Sequence, residues 1–172
     1  MRRCWWLVGL LLMAAGCAAP PAGQTAAGPA ESQRQFMCVS KVYVSDVSQA
    51  HTLSGSLGGR EFTVPVGEWL DSQLAARFWQ DATVRASGRP QPTITAGFAP
   101  GTGVRPAGFN DAEVQLVVQL QLLKPTGQDY YDLIGGRATA NTAAEATNDA
   151  LEQVLRQLEM LLVNAGLCRQ VQ

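Results

Sequence analysis

The sequence predicts an α+β protein, a two-layer sandwich in which two amphipathic helices cover one face of a three- to five-stranded, largely antiparallel sheet. Apolar residues alternate with glutamines over 112–123, as in a strand with one solvated face. Apolar residues recur at helical spacing over 65–81 and 141–165, which predicts the two helices. A short turn after residue 123 makes the strand that follows antiparallel to the first.

Residues 36–47 predict the first strand, because valine and aromatic residues are frequent there. Its candidates for a buried face are Val42, Val44 and Val47. The polar, glycine-rich segment 51–59 predicts a loop that contains His51. Residues 60–64 follow either as a hairpin partner or as an extended lead-in, and the sequence leaves both open.

A helix is predicted over 65–81, since Pro65 is tolerated in a first turn and apolar residues follow at four-residue intervals. Trp69 and Trp79 are ten residues apart and would lie about 80° apart around such a helix. One of them is therefore expected in the core and the other at its boundary. Trp79 is a candidate for contact with a partner or with the membrane interface.

A long loop is predicted over 85–111, where four prolines interrupt the chain. Residues 93–98 are a candidate for a short strand within it. Loops of this length in compact domains are usually functional or mobile, so this one is a candidate contact loop or lid.

The strand over 112–123 is followed by a turn and by a partner strand over 130–139. Gly135 and Gly136 in the partner strand predict a bulge or the close approach of another backbone. The glutamines on the solvated face are candidates for contact with a partner; they are Gln115, Gln119 and Gln121. The helix over 141–165 begins with a capping box, Thr142 to Glu145, and Gly166 is suited to its C-cap.

The N-terminus carries a targeting signal. Arg2 and Arg3 precede an uncharged, mostly apolar stretch, Cys4–Ala15, whose twelve residues fall short of the ~20 that a membrane-spanning helix needs. The next residues complete the sequence Ala14-Ala15-Gly16-Cys17, which resembles the lipobox of bacterial lipoproteins. The resemblance implies a signal peptide over 1–16 and acyl chains, such as palmitate, on Cys17. The alternative is an ordinary secretory signal that leaves a soluble periplasmic protein.

Residues 17–35 are expected to form a lipidated, flexible tether, because 11 of the 18 residues after Cys17 are alanine, glycine or proline. Such a tether has an end-to-end distance of about 20–25 Å. A single α+β domain is expected over 36–172. Ala18, directly after the cysteine, resembles the sorting pattern for the outer membrane of Gram-negative bacteria.

Cys38 and Cys168 are the two cysteines left after the signal and the lipidated residue. Because the compartment is oxidising, we expect them to form a disulfide, and two separate thiols are the alternative.

The sequence contains no recognisable catalytic constellation, so we expect neither an enzyme nor a cofactor. His51 is the only histidine, and it lacks further ligands at metal-binding spacing, so no metal site is expected. The formal net charge is −1 and no basic block occurs, which argues against nucleic acid as a partner.

The lipobox, the tether and the element order resemble small outer-membrane lipoproteins such as LptE, PelC and YajG-type proteins, and also the N-terminal domain of TolB. The resemblance implies a non-enzymatic accessory or assembly factor for an envelope complex, anchored by Cys17 and facing the periplasm. An envelope protein or a second copy of the chain would be its partner. The alternatives are a self-assembling ring component and a binding module for an envelope glycan or lipid, with loop 85–111 as a lid over a concave pocket.

Overall fold

The computed structural model describes residues 34–45, 51–108 and 111–171. Within these residues the chain forms ten strands and three helices. The strands are β1 (Gln35–Cys38), β2 (Val42–Val44), β3 (Leu53–Leu57), β4 (Arg60–Val64), β5 (Phe78–Gln80), β6 (Thr93–Phe98), β7 (Gly103–Pro106), β8 (Ala112–Leu123), β9 (Asp129–Ala140) and β10 (Cys168–Val171). The helices are α1 (Val66–Arg77), α2 (Ala82–Ala86) and α3 (Ala143–Asn164).

A five-stranded sheet is built around β8. Along one side of β8, β7 pairs with its first residues and β6 with its last, both antiparallel. Along the other side, β9 pairs antiparallel with the whole of β8. β2 extends the sheet beyond β6 as a parallel strand. The predicted α+β class, with a largely antiparallel sheet, is therefore confirmed.

Two smaller sheets complete the described strands. β1 lies between β10, to which it is antiparallel, and β5, to which it is parallel. β3 and β4 form a separate two-stranded hairpin. Helices α1 and α3 pack on the apolar face of the five-stranded sheet, and the apolar residues between them form one continuous core.

The single strand predicted over 36–47 is wrong, because this stretch forms two strands in two different sheets. Just after β1, the N–H of Val39 still donates to the carbonyl oxygen of Leu167, and the chain then leaves this sheet and pairs with β6 through β2. Val42 and Val44 are buried as predicted, whereas Val47 lies outside the described residues.

The loop predicted over 51–59 is largely a strand, since Leu53–Leu57 pairs with Arg60–Val64. Gly58 and Gly59 have φ values of 56° and 76°, the backbone geometry that a two-residue hairpin turn requires. The hairpin alternative for residues 60–64 is therefore the one that the structure adopts.

The helix predicted over 65–81 ends earlier, at Arg77. The next three residues form β5 and pair with β1, so tertiary pairing overrides the helical spacing. Phe78 stays in the core and its ring stacks on Phe36, with 5.4 Å between centroids. Trp69 is buried on α1, but Trp79 lies on β5, so the angular comparison of the two on one helix was wrong.

The long loop predicted over 85–111 is also wrong. Only the short strand over 93–98 was anticipated, and it is confirmed as β6. Residues 103–106 form β7, and the end of α2 occupies residues 85 and 86. Both strands are held by β8, a contact that proline and glycine content does not reveal.

The C-terminal half follows the sequence closely. The strand over 112–123 is confirmed residue for residue, and its partner is one residue longer at each end than predicted. At the start of α3 the Thr142 hydroxyl accepts from the N–H of Glu145 at 3.2 Å. At its end Gly166 has φ 69°, and the N–H of Leu167 donates to the carbonyl of Leu162, as in a Schellman motif.

Candidate interaction face

The face of the five-stranded sheet opposite α1 and α3, here called the outer face, carries the predicted glutamines. Gln115 and Gln119 are exposed and Gln121 is partly exposed, each between two core positions of β8. The structure therefore brings these three candidates onto one surface. It also adds exposed apolar and aromatic side chains to that surface; they are Tyr43, Leu123, Tyr131 and Leu133.

A cross-strand row of four residues runs over the outer face: Tyr43 on β2, Thr95 on β6, Gln121 on β8 and Tyr131 on β9. The Tyr131 hydroxyl accepts from the Gln121 amide at 2.9 Å and donates to the carboxylate of Asp129 at 3.1 Å. This second bond favours the protonated phenol and raises the pKa of Tyr131. The row therefore presents neutral, amphipathic groups at neutral pH.

An ionic cluster lies at the other end of the outer face. Arg105 on β7 donates to the Glu113 carboxylate on β8 at 2.6 and 2.9 Å, and Arg137 on β9 donates to the same carboxylate. Hydrogen bonds from Arg137 and then from Arg105 lower the pKa of Glu113 to about 2. The cluster ties three strands together and keeps Glu113 charged.

The outer edge of the sheet is β9, which pairs with β8 on one side only. Two glutamines of α3 cover half of its free side. Gln157 accepts from the N–H of Gly135 and donates to its carbonyl, at 3.3 and 2.6 Å. Gln153 makes the same two bonds with Arg137, at 3.2 and 3.0 Å. These side-chain amides take the place of a neighbouring strand, a way of protecting an exposed edge.

The first half of β9, Asp129–Leu133, has a more open edge. By strand alternation the backbone groups of Tyr131 point the same way as those of Gly135. No hydrogen bond to them occurs among the described residues, although the N–H of Leu133 is capped by the Asp132 carboxylate at 2.8 Å. Tyr131 and Leu133 are 53% and 65% exposed beside this edge.

Trp79 lies apart from the outer face. It belongs to β5, in register with Met37 of β1, and is partly buried. The structure therefore does not group this candidate with the glutamines, and its contact with a partner stays a prediction.

Sequence reasoning missed the aromatic part of the outer face. Tyr43 alternates with the buried Val42 and Val44, and this signal was present in the sequence. Tyr131 and Leu133 join the face through the register of β9 against β8, and that register follows from continuing the alternation across the turn. The capping by Gln153 and Gln157 had no comparable sequence signal.

The other residues singled out in the sequence are the two disulfide cysteines, His51 and Cys17, the predicted lipidation site. Cys38 and Cys168 form the expected disulfide, across directly paired positions of β1 and β10. His51 is not simply a solvated loop residue, because its ring stacks on Phe98 with 5.0 Å between centroids. Cys17, the signal peptide and all but the last two tether residues lie outside the described residues.

The described part of the chain shows neither a metal-binding cluster nor a membrane-spanning helix. Within it, no group of three or more histidine, cysteine, aspartate or glutamate side chains is placed to hold a metal ion. None of the helices described is both long and apolar enough to cross a bilayer.

No protein-family model matches the chain, and no curated protein matches it in sequence. Among solved structures, a candidate lipoprotein from Caulobacter crescentus CB15 is similar with a TM-score of 0.43 and 17% identity, covering 73% of this chain and 88% of that one. A protein of family DUF330 from Xanthomonas campestris is similar with a TM-score of 0.41 and 14% identity, covering 84% and 92%.

Proposed function

We propose that this chain is a non-enzymatic accessory lipoprotein of a Gram-negative cell envelope. Acyl chains on Cys17 anchor it to the outer membrane, and residues 17–35 tether a single domain, 36–172, on the periplasmic side. The domain binds a protein component of an assembly, export or secretion complex through its outer face. The observation that supports this proposal most is the set of exposed tyrosine and glutamine side chains on that face.

The composition of the outer face suits a protein partner. Tyrosine contributes a large apolar contact area at low entropic cost, and it is enriched where proteins bind one another. Leu133 adds an exposed aliphatic side chain beside Tyr131, and the glutamine amides supply donors and acceptors without charge. Charge on this face lies towards its two ends, in the cluster around Glu113 and at Asp129 and Lys41, so the middle of the face can be desolvated at low cost.

The open half of the β9 edge offers a second element of the same contact. A partner strand can pair with the backbone of Asp129–Leu133 while its side chains meet Tyr131 and Leu133. The capped half at Gly135 and Arg137 limits such pairing to a few residues. A short, bounded edge favours a defined partner over indefinite strand addition.

Anchoring supplies the rest of the mechanism. A tether of about 20–25 Å confines the domain to a thin layer next to the membrane and raises its effective concentration towards a membrane-bound partner. Loss of the anchor is therefore expected to weaken the interaction even though the outer face is unchanged.

Affinity purification from crosslinked envelopes tests this proposal. Gln119→Lys places a charge in the middle of the outer face, and we expect it to abolish co-purification of the partner. Gln170→Lys makes the same change at an exposed position of β10 and serves as the matched control. Cys17→Ser should lower the amount of partner that co-purifies, because the domain is no longer held at the membrane. Equal recovery with Gln119→Lys and Gln170→Lys would show that the outer face is not the contact.

A further inference from the structure

An apolar cleft lies at the end of the sandwich where the β8–β9 turn faces the C-terminal end of α3. Its volume is about 680 Å³, within the ~300–1,000 Å³ range of small-molecule sites. Most of the side chains that line it are aliphatic or proline. The lining residues used below are Ile94, Leu122, Lys124, Leu161, Ala165 and Leu167.

The fold builds the cleft from fixed elements. Ile94 on β6 and Leu122 on β8 are directly paired, and both face the helices. Leu161 comes from the last turns of α3. Leu167 is held by the Schellman motif, through its N–H to the Leu162 carbonyl at 2.9 Å. Leu167 directly precedes the disulfide-bonded Cys168, so this wall is tied to β1.

The cleft has one cationic side chain, Lys124, in the β8–β9 turn. The turn is closed by hydrogen bonds from the Lys124 N–H to Gln128 and from the Gly127 N–H to Lys124. Lys124 makes no ion pair within the described residues. An exposed ammonium beside an apolar cleft complements a ligand with an apolar chain and an acidic head.

We propose that this cleft binds one acyl chain of an anionic lipid, with the acidic head group at Lys124. Thr126, Tyr130 and Asn164 also line the cleft, but its surface is mostly apolar. A glycan therefore fits poorly because it needs several convergent polar groups, and a peptide fits poorly because its buried backbone needs hydrogen-bond partners. An alkyl chain has no polar groups to satisfy, and each buried methylene group contributes favourably to binding. Binding at the cleft is independent of the protein contact proposed for the outer face.

Photo-crosslinking with a palmitate analogue that carries a diazirine on its chain tests the proposal. The protein is the whole mature chain with Cys17→Ser, so that its own acyl chains do not compete. We expect crosslinks in the peptides over 120–126 and 161–167, and competition by unlabelled palmitate. Crosslinks confined to other peptides would overturn the proposal.

Two tryptophan variants locate the site. Ala165 is exposed at the C-cap of α3 and lines the cleft, so Ala165→Trp should fill the cleft without disturbing the core. We expect it to weaken palmitate binding by about tenfold or more. Val163→Trp adds the same side chain two residues earlier, at an exposed position outside the lining, and should bind normally. Equal binding by both variants would contradict the assignment.

A charge reversal tests the head group. Lys124→Glu should weaken palmitate binding by about tenfold while leaving an uncharged monoacylglycerol of the same chain length unaffected. Sedimentation of the same variants tests whether the cleft is instead occupied by a second copy of the chain. If Ala165→Trp abolishes a dimer and palmitate does not bind the wild-type chain, the cleft is a subunit interface and the lipid proposal is wrong.

Discussion

Arg77 is the clearest case of a residue whose role depends on its three-dimensional surroundings. It is 3% exposed between α1 and α3, where it donates to Glu159, itself 5% exposed, at 2.8 Å. It also donates to Gln73 on its own helix at 3.4 Å and to Glu152 on α3. In the sequence, Arg77 is only one residue within the predicted 65–81 helix. Its partner is 82 residues away, so local spacing gave no signal for the buried pair.

We expect Arg77→Met to lower the free energy of unfolding by about 3–5 kcal/mol, because the buried Glu159 carboxylate then keeps only the exposed Arg34 guanidinium, at 3.5 Å. The double variant Arg77→Met/Glu159→Leu should recover most of this loss, since both charges are then removed. Urea denaturation of the three proteins measures the difference. Equal destabilisation by the single and double variants would show that the pair acts through packing and not through charge.

Glu113 gives the protein a specific dependence on pH. Its pKa is about 2 in the folded chain and 4.5 without its partners, so its stabilising contribution is complete above about pH 4.5. The contribution is lost as pH falls from 4.5 towards 2, because the folded carboxylate must then be protonated. We expect Glu113→Gln to reduce the slope of the melting temperature against pH in this window only. An unchanged slope would contradict the assigned ion pairs.

Among the strands and helices, local sequence patterns predicted most closely those elements that contact their neighbours in sequence. The alternation of β8, its turn to β9 and the amphipathic stripe of α3 lie within one continuous stretch, and all three were predicted closely. By contrast, β5 and β7 are three and four residues long and exist because distant strands pair with them. No local pattern predicted that two glutamines of α3 cap the β9 edge.

Gly136 fixes the distance between β9 and α3. A Cβ at this position would lie 1.9 Å from the carbonyl oxygen of Ala150, so the helix must move to accept any side chain. We expect Gly136→Ala to lower the free energy of unfolding by about 1–3 kcal/mol. Gly135→Ala, whose Cβ would lie 3.2 Å from the Leu116 carbonyl, is the milder control. Chemical denaturation that ranks the two variants in the opposite order would refute this explanation.

Gln153 and Gln157 protect the β9 edge. In the variant Gln153→Ala/Gln157→Ala the backbone groups of Gly135 and Arg137 lose their partners and become available to another chain. We expect concentration-dependent self-association, seen in sedimentation velocity. Glu145→Ala/Asp149→Ala, at exposed positions of α3, is the control. A double glutamine variant that stays as monodisperse as this control would mean that the edge needs no capping.

At the scale of the whole molecule, the disulfide joins the two ends of the described chain. Cys38 and Cys168 are paired residues of β1 and β10, separated by 130 positions in sequence, and the ring that they close contains both long helices. The expected pairing followed from the compartment and the number of cysteines. The strand pair that holds it did not, because β10 lies beyond the last helix and has no alternating pattern of its own.

We expect Cys38→Ala/Cys168→Ala to lower the free energy of unfolding by about 2–5 kcal/mol, because the unfolded chain is no longer constrained by a long covalent loop. Reductant should lower the melting temperature of the native protein by as much as the double substitution does. It should leave the melting temperature of the variant unchanged. A native protein that is insensitive to reductant after verified reduction would contradict this role.

The outer face is proposed to contact an envelope protein while Cys17 anchors the domain to the membrane. A photoreactive amino acid at Gln119, introduced in living cells with the native signal and Cys17, tests it most directly. We expect a discrete crosslinked adduct with one envelope protein at Gln119, no adduct at Gln170, and a weaker adduct with Cys17→Ser. The same adduct at both positions, or adducts at Gln170 alone, would show that the outer face is not the contact surface.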